Sequence, residues 1–223
     1  MTKENTPSGT AIIVGAGPGL GLELARAFAT AGHPVAMLAR DKAKLDGYAA
    51  ELASIGPDVR GYVADAADPV NLRSALRAAI SELGAPDALV YNIGVLRPDS
   101  PVGGDDQEWA DNTAANVLGA RVAADAVLPE LRGGRGTLLF TGGGYALRPS
   151  TKFASLSVGK AALRAYAQIL HDQLAGTGVH ATSVTITAEI GSADPRFDPA
   201  VIARAYLELH GQPETEWQHE LVY

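Results

Sequence analysis

The sequence predicts one α/β domain, built on a doubly wound parallel sheet with helices on both faces. Short apolar runs alternate with longer helical patterns along the whole 223-residue chain, which implies right-handed strand–helix–strand crossovers. The runs are rich in Val, Ile, Leu and Ala and contain few charges, as expected of strands that helices cover on both sides. No linker, repeat or low-complexity segment interrupts the alternation, so we expect a single domain.

The individual elements follow from the length of each apolar pattern. Short runs predict strands, and longer stretches with helical spacing predict helices. The predicted strands are 11–15, 34–39, 59–64, 88–93, 137–141, 179–186 and 220–223. The predicted helices are 19–31, 42–55, 70–83, 107–131, 155–174 and 200–210. Residues 1–9 are polar and lack the apolar centre of a signal peptide, so we interpret them as a short disordered leader before a domain at 10–223.

Composition excludes several classes of function. The formal net charge of −7 argues against a nucleic-acid surface. The chain has no cysteine, which excludes disulfides and thiolate metal sites, and no apolar run reaches the length of a transmembrane helix. We therefore expect a cytoplasmic protein that acts on a small molecule, with no membrane and no nucleic acid as partner.

The first strand–helix turn has the composition of a phosphate-binding loop. It reads Ile12-Ile13-Val14-Gly15-Ala16-Gly17-Pro18-Gly19-Leu20-Gly21. Glycines permit a tight turn and a close approach of the backbone to a pyrophosphate, whose charge the exposed N–H groups and the helix dipole stabilise. The same glycines would suit a purely structural turn. Their position after the first strand favours a dinucleotide site, formed by Gly15, Gly17, Gly19, Leu20 and Gly21.

The spacing of Gly15, Gly19 and Gly21 resembles the Gly-x-x-x-Gly-x-Gly motif of the short-chain dehydrogenase/reductase family. That family has a Rossmann-type fold, in agreement with the predicted sheet. Val14 stands where the family usually has a threonine.

The resemblance continues through almost the whole chain. Asp65 ends the third predicted strand, where the family's aspartate contacts adenine. Asn92 and Gly94 resemble the end of the family's Asn-Asn-Ala-Gly turn, with Tyr91 in place of the first asparagine. Asn116 matches the asparagine that, in the family, kinks a long helix and holds a water in a proton relay. The resemblance thus implies a nicotinamide cofactor bound along these positions.

The end of the second strand indicates which nicotinamide cofactor is bound. An acidic residue there would bind the ribose 2′-hydroxyl of NAD, whereas a nearby arginine accommodates the 2′-phosphate of NADP. Ala39 occupies the expected position of the acid, and Arg40 follows it with a guanidinium that suits phosphate geometry. Asp41 is either the NAD acid or the cap of the next helix, and we favour the cap. NADP is therefore expected in preference to NAD.

The family's catalytic tyrosine is absent. Its Tyr-x-x-x-Lys helix resembles the segment from Leu156 to Lys160, with leucine at the tyrosine position. The family's serine, about thirteen residues before the tyrosine, falls on Gly143. The resemblance implies that Lys160 holds the nicotinamide ribose. A leucine cannot transfer a proton, and loss of a positioned general acid typically costs about 10²–10⁴-fold in rate.

Three substitutes for the missing proton donor remain open. Tyr145 and Thr141 lie on either side of the serine position, although packing under a loop explains Tyr145 equally well. Lys160 is the third, with Asn116 and a water as its relay. We take Lys160, Asn116 and Tyr145 as the candidate catalytic residues. A short segment around Glu189 replaces the family's usual lid, so we expect an open site.

Two functions follow from this combination. One is an NADP-dependent oxidoreductase with an altered proton path, acting on an activated carbonyl, an imine or a polarised double bond. The other is a non-catalytic NADP(H)-binding protein, a sensor or an assembly partner. The resemblance also implies a homodimer or homotetramer, because the helices equivalent to 107–131 and 155–174 pair in the family. The candidate contact residues, which could instead pack on their own sheet, are Ala161, Ala162, Ala165 and Leu170.

Overall fold

The computed structural model describes residues 8–223, and within them it contains one seven-stranded parallel sheet in a single domain. The strand order is β3-β2-β1-β4-β5-β6-β7. The strands are β1 Thr10–Val14, β2 Val35–Ala39, β3 Val59–Val63, β4 Pro86–Tyr91, β5 Gly136–Gly143, β6 Val179–Ile186 and β7 Glu220–Val222. The helices are α1 Leu20–Thr30, α2 Lys42–Leu52, α3 Pro69–Leu83, α4 Asp106–Thr113, α5 Gly119–Val127, α6 Ala154–Gln173 and α7 Pro199–Gly211. The predicted fold class is confirmed.

Each face of the sheet carries its own apolar core. Alternate strand side chains point to opposite faces, so Ile12 packs with α3, α5 and α6, while its neighbour Ile13 packs with α1, α2 and α7. The central strands β1, β4 and β5 bury nearly every residue. This double covering explains why the strands contain so few charges.

The strand order reverses between β1 and β4. The chain moves from β1 outward to β2 and β3, then crosses back to β4 on the other side of β1. In open α/β sheets of this type, ligands bind outside the carboxyl ends of the strands at this reversal. The fold therefore positions a site where Val14 and Tyr91 end their strands.

The helix predicted over 107–131 is wrong as a continuous element. A π-helical turn, Ala114–Leu118, separates α4 from α5, and 3₁₀ turns follow α5. The hydroxyl of Tyr91 donates a hydrogen bond to the Ala115 carbonyl at 2.5 Å, so a distant strand supplies the partner for this part of the helix. Gly119 leaves room for that phenol, because an added Cβ would collide with the Tyr91 oxygen.

The remaining differences concern element ends and one side chain. Helix α2 stops at Leu52, three residues before the predicted end, ahead of Gly56 and Pro57. Residues 1–7 of the proposed disordered leader lie outside the described residues. Gly9, which was also assigned to the leader, is ordered instead: it is buried, and its N–H donates a hydrogen bond to Asp87 Oδ2 at 2.7 Å. Leu170, predicted as a candidate contact residue for self-association, lies on the side of α6 that packs in the core, so it does not belong to an exposed contact face.

None of the helices in the described part of the chain has both the length and the apolar character to cross a lipid bilayer.

Candidate functional site

A cleft of about 1210 Å³ opens at the carboxyl ends of the central strands. It extends from the turn after β1, past the ends of β2 and β3, to the buried lysine of α6. The sequence-predicted residues Gly15, Gly17, Gly19, Leu20, Gly21, Arg40, Asp65, Asn92, Gly94 and Lys160 all line it. The structure therefore brings together the whole set proposed for the cofactor.

The turn after β1 has the geometry of a phosphate-binding loop. Gly15 and Gly19 have φ angles of 95° and 84°, which side-chain-bearing residues rarely adopt. Gly21 packs against the Gly15 carbonyl so closely that an added Cβ would collide with it. At Gly17 and Gly19, by contrast, an added Cβ would meet no heavy atom within 4 Å. The loop is tight on its protein side and open on its cleft side, as an anion at the start of α1 requires.

The far end of the cleft contains an unpaired guanidinium. Arg40 is exposed, and among the described residues it has no ion pair or hydrogen bond. The carboxylate of Asp41 accepts a hydrogen bond from the Lys44 N–H at 3.1 Å, so its interpretation as the cap of α2 is confirmed. Asp65 accepts from the Ala67 N–H at 2.9 Å, which fixes its carboxylate at the cleft wall.

The other end of the cleft is organised by Lys160. Its Nζ donates to the carbonyl oxygens of Ile93 at 2.6 Å and Thr141 at 2.7 Å. The side chain is 6% exposed, and burial lowers the pKa of its ammonium to about 8. Nearby, Asn92 Nδ2 donates to the Gly15 carbonyl at 3.0 Å, which joins this end to the glycine loop. The loop after β4 and the strand β5 thus orient one lysine in the cleft.

Asn116 lies in the π-helical turn, against α6 at Gly159. It is fully buried, and its Nδ2 donates to the Asn112 carbonyl at 2.8 Å. Its Oδ1 has no hydrogen-bond partner among the described residues. Gly159, next to Lys160, allows α6 to pack directly on this amide, because an added Cβ would lie 2.7 Å from Asn116 Cβ. Buried acceptors of this kind are commonly satisfied by ordered water.

The three other positions singled out in the sequence differ in environment. Leu156 is 5% exposed and lies one helical turn before Lys160. At Gly143, an added Cβ would approach only Lys160 Cγ, at 4.0 Å. Tyr145 is not among the described residues that line the cleft. Its ring contacts Phe153 with centroids 5.5 Å apart, and packing under the loop accounts for this contact.

The polar rim of the cleft was not predicted from the sequence. Arg97 and Glu108 line it and form an ion pair at 2.8 Å. Asn112 also lines it, and its Nδ2 donates to Ser155 Oγ at 3.1 Å. Exposed charges in a loop and at a helix start carry no signal of their own, so only the fold identifies them. Glu189 is not among the cleft residues, but its neighbour Ile190 is.

Comparison with known proteins agrees with this geometry. Residues 9–188 match the short chain dehydrogenase family. The 1-deoxy-11-beta-hydroxypentalenate dehydrogenase of Streptomyces exfoliatus is 34% identical over 175 residues, which cover 76% of this chain and 63% of that protein. Matches to three curated relatives span 43%, 61% and 63% of the length of those proteins.

Solved structures show the same fold. A short-chain dehydrogenase from Rhodopseudomonas palustris has a TM-score of 0.85 and 26% identity, with 96% of each chain covered. An NADPH-bound short chain oxidoreductase from Pseudomonas aeruginosa PAO1, described as containing an atypical catalytic center, has a TM-score of 0.84 and 20% identity. The alignment covers 95% of this chain and 93% of that one.

Proposed function

The chain belongs to the short chain dehydrogenase family, and from this premise we propose that it is an NADPH-dependent reductase whose proton comes from Lys160. Leu156 and Gly143 would stand at the positions of the family's catalytic tyrosine and serine. The observation that carries the proposal is the buried lysine at the end of the cleft, with a pKa lowered to about 8 by burial. Such an ammonium is a usable acid near neutral pH.

The cleft fits a phosphorylated dinucleotide. Gly17 and Gly19 leave space where a pyrophosphate would approach the backbone at the start of α1. Arg40 would bind the 2′-phosphate, because its guanidinium has no other partner among the described residues. Lys160 and Asn92 would hold the nicotinamide end. When bound, NADPH supplies a hydride to an electrophilic carbon.

Lys160 has one N–H to spare. An ammonium carries three donors, and the carbonyls of Ile93 and Thr141 take two of them. The third can donate to the substrate or to a water. We assign that water to the unsatisfied Oδ1 of Asn116, which would resupply the proton from the back of the site.

This proton path selects the substrate class. Two of the three N–H groups of Lys160 donate to backbone carbonyls, so only one remains to reach the oxygen of a simple ketone. Acceptors that need little protonation at the moment of reduction are favoured: activated carbonyls, imines and polarised double bonds. An iminium carbon needs no proton at all, because the amine nitrogen is neutral once the hydride has arrived.

A non-catalytic NADP(H)-binding role is the second candidate. It is favoured by Leu156 and Gly143, neither of which has a polar side chain. Under this alternative, Lys160 and the glycine loop bind the cofactor without turnover.

The test is NADPH oxidation by the purified chain with a panel of simple ketones, α-diketones, cyclic imines and enones. We expect turnover with at least one activated class and little with simple ketones. NADPH binding without oxidation across the whole panel would favour the non-catalytic role. Brisk reduction of simple ketones would show that the chain has an unrecognised proton donor.

Arg40→Ala is expected to weaken NADPH binding by about 1.5–3 kcal/mol, because charge-assisted hydrogen bonds to the 2′-phosphate are lost. NADH binding should remain nearly unchanged, since that cofactor has a hydroxyl there. Calorimetric titration of both cofactors into the native and variant proteins measures the two effects. Equal losses for both cofactors would assign Arg40 a structural role.

Self-association through α6 is proposed as well. Val158, Ala161, Ala165 and Ile169 form an exposed stripe along this helix at helical spacing, with Val158 52% and Ile169 60% exposed. Exposed apolar residues that line up in this way indicate a contact surface. Light scattering should therefore give a mass above 23 kDa for the native chain and a lower mass for Ile169→Glu. A native monomer would reject the interface.

A further inference from the structure

A second group of ionisable side chains lies at the opposite end of the sheet from the cleft. We call His33, Asp87 and His210 the basal cluster. His33 precedes β2, Asp87 is the second residue of β4, and His210 lies in the last turn of α7. The cleft lies at the carboxyl ends of the strands, so the cluster lies outside the cofactor site.

The basal cluster has the composition of a metal site. One ligand atom from each of its three side chains lies within 4.8 Å of the other two. The two imidazole rings meet edge to face, with centroids 5.3 Å apart. Two imidazole nitrogens and one carboxylate oxygen are a common set of protein ligands for Zn²⁺, with water as the fourth ligand.

The surroundings of the basal cluster orient both rings. His33 Nδ1 lies 3.0 Å from the Gly9 carbonyl oxygen, and His210 Nδ1 lies 3.0 Å from Thr137 Oγ1. Metal-binding histidines commonly direct one ring nitrogen to such an outer oxygen, which in His210 leaves Nε2 for the metal. Among the described residues, His210 Nε2 has no hydrogen-bond partner. On His33 the nitrogen that faces the carboxylate is Nδ1, 3.1 Å from Asp87 Oδ1, so an ion shared by these two side chains would replace the proton on Nδ1.

The carboxylate is held in the same way. Asp87 Oδ2 accepts from the Gly9 N–H at 2.7 Å, while Oδ1 lies 3.1 Å from His33 Nδ1. Gly9 is required here, because an added Cβ would lie 2.9 Å from Asp87 Cγ. His33 is 6% exposed, whereas Asp87 and His210 are only partly buried. An ion and a water could therefore enter from the side of these two residues.

We propose that the basal cluster binds Zn²⁺. The ion would join the turn before β2, the start of β4 and the end of α7, which are separate in sequence. Because these elements come together only in the folded chain, binding would stabilise the fold. The role is structural and independent of the cofactor site.

The test uses full-length chain without a histidine tag, treated with chelator and then titrated with ZnCl₂ in a calorimeter. We expect one tight site per chain and a thermal midpoint that rises with zinc concentration. Co²⁺ at the same site should give the intense visible absorption of four-coordinate cobalt. NADPH affinity should be unchanged by zinc.

His210→Gln and Asp87→Asn should each weaken zinc binding by about 10–100-fold or more, since each removes a ligand. The glutamine variant keeps a polar side chain near Thr137, so it limits loss of folding. His219→Ala removes an exposed histidine outside the cluster and should bind zinc like the native chain. The proposal would be overturned by equal zinc affinity in the native and His210→Gln proteins, or by a thermal midpoint that does not change with zinc. The three side chains would then only hydrogen-bond to one another and to their neighbours.

Discussion

The double variant Leu156→Tyr, Gly143→Ser is expected to reduce simple ketones about 10²–10⁴-fold faster than the native chain. The tyrosine would place a phenolic acid one helical turn before Lys160, and the serine would place a hydroxyl for the substrate oxygen. The serine has room, because only Lys160 Cγ lies near an added Cβ at position 143, at 4.0 Å. The measurement is steady-state NADPH oxidation with a ketone panel.

The matched control is Leu156→Phe, Gly143→Ser. Phenylalanine has the bulk of tyrosine at this buried position but lacks the hydroxyl, so the difference between the two double variants isolates the phenol. NADPH titration of both proteins checks that the cleft still forms. If both bind NADPH and the tyrosine variant is no faster than the phenylalanine variant, Leu156 does not occupy the catalytic position.

The sequence was sufficient for the fold because the strands are short and doubly covered. Each predicted strand exists, with ends that shift by two residues or fewer. Helical spacing alone could not locate the π-helical turn in 107–131, whereas the resemblance implied a kink at Asn116, which lies within that turn. Within that turn the Ala115 carbonyl accepts a hydrogen bond from the Tyr91 hydroxyl at the end of β4, a tertiary contact without a local pattern.

Some features of the candidate site could be predicted from the sequence and others could not. The glycine loop and Arg40 were predictable because each lies at the end of a strand, and Lys160 because it belongs to a helix motif of the family. The environment of Tyr145 was not, because its contact with Phe153 depends on how the loop before α6 folds. The basal cluster could not be predicted from the sequence either. Its three residues lie far apart in the chain and come together only because the parallel sheet brings their elements to the same end.

Lys160→Met is expected to lower turnover by about 10²–10⁴-fold if the ammonium is the proton donor. Methionine is an unbranched side chain of similar length, but it cannot donate to Ile93, Thr141 or a substrate. NADPH binding should also weaken, since the charged donor at the nicotinamide end is lost. Lys152→Met is the matched control, because it removes an exposed ammonium just before α6.

Tyr145→Phe should keep its turnover, and a large loss of turnover in that variant would assign the proton to Tyr145.

The pH dependence distinguishes proton donation by Lys160 from a purely structural role. Burial lowers the pKa of Lys160 to about 8, so native turnover should fall as the pH rises through that value and the ammonium is lost. The residual rate of Lys160→Met should not show this fall. A native profile that stays flat from pH 7 to about 9.5 would contradict Lys160 as the donor.

The same group should also change stability with pH, independently of any cofactor. Its pKa is about 8 in the folded chain and 10.5 when exposed, so between these values the unfolded chain binds more protons than the folded one. Stability attributable to Lys160 must therefore rise with pH across this window, by roughly 3 kcal/mol. Buried tyrosines titrate in both proteins, so the quantity to measure is the difference in unfolding free energy between native and Lys160→Met. A difference that does not change from pH 7.5 to about 10.5 would mean that Lys160 is solvated, and would remove the physical basis for its role as an acid.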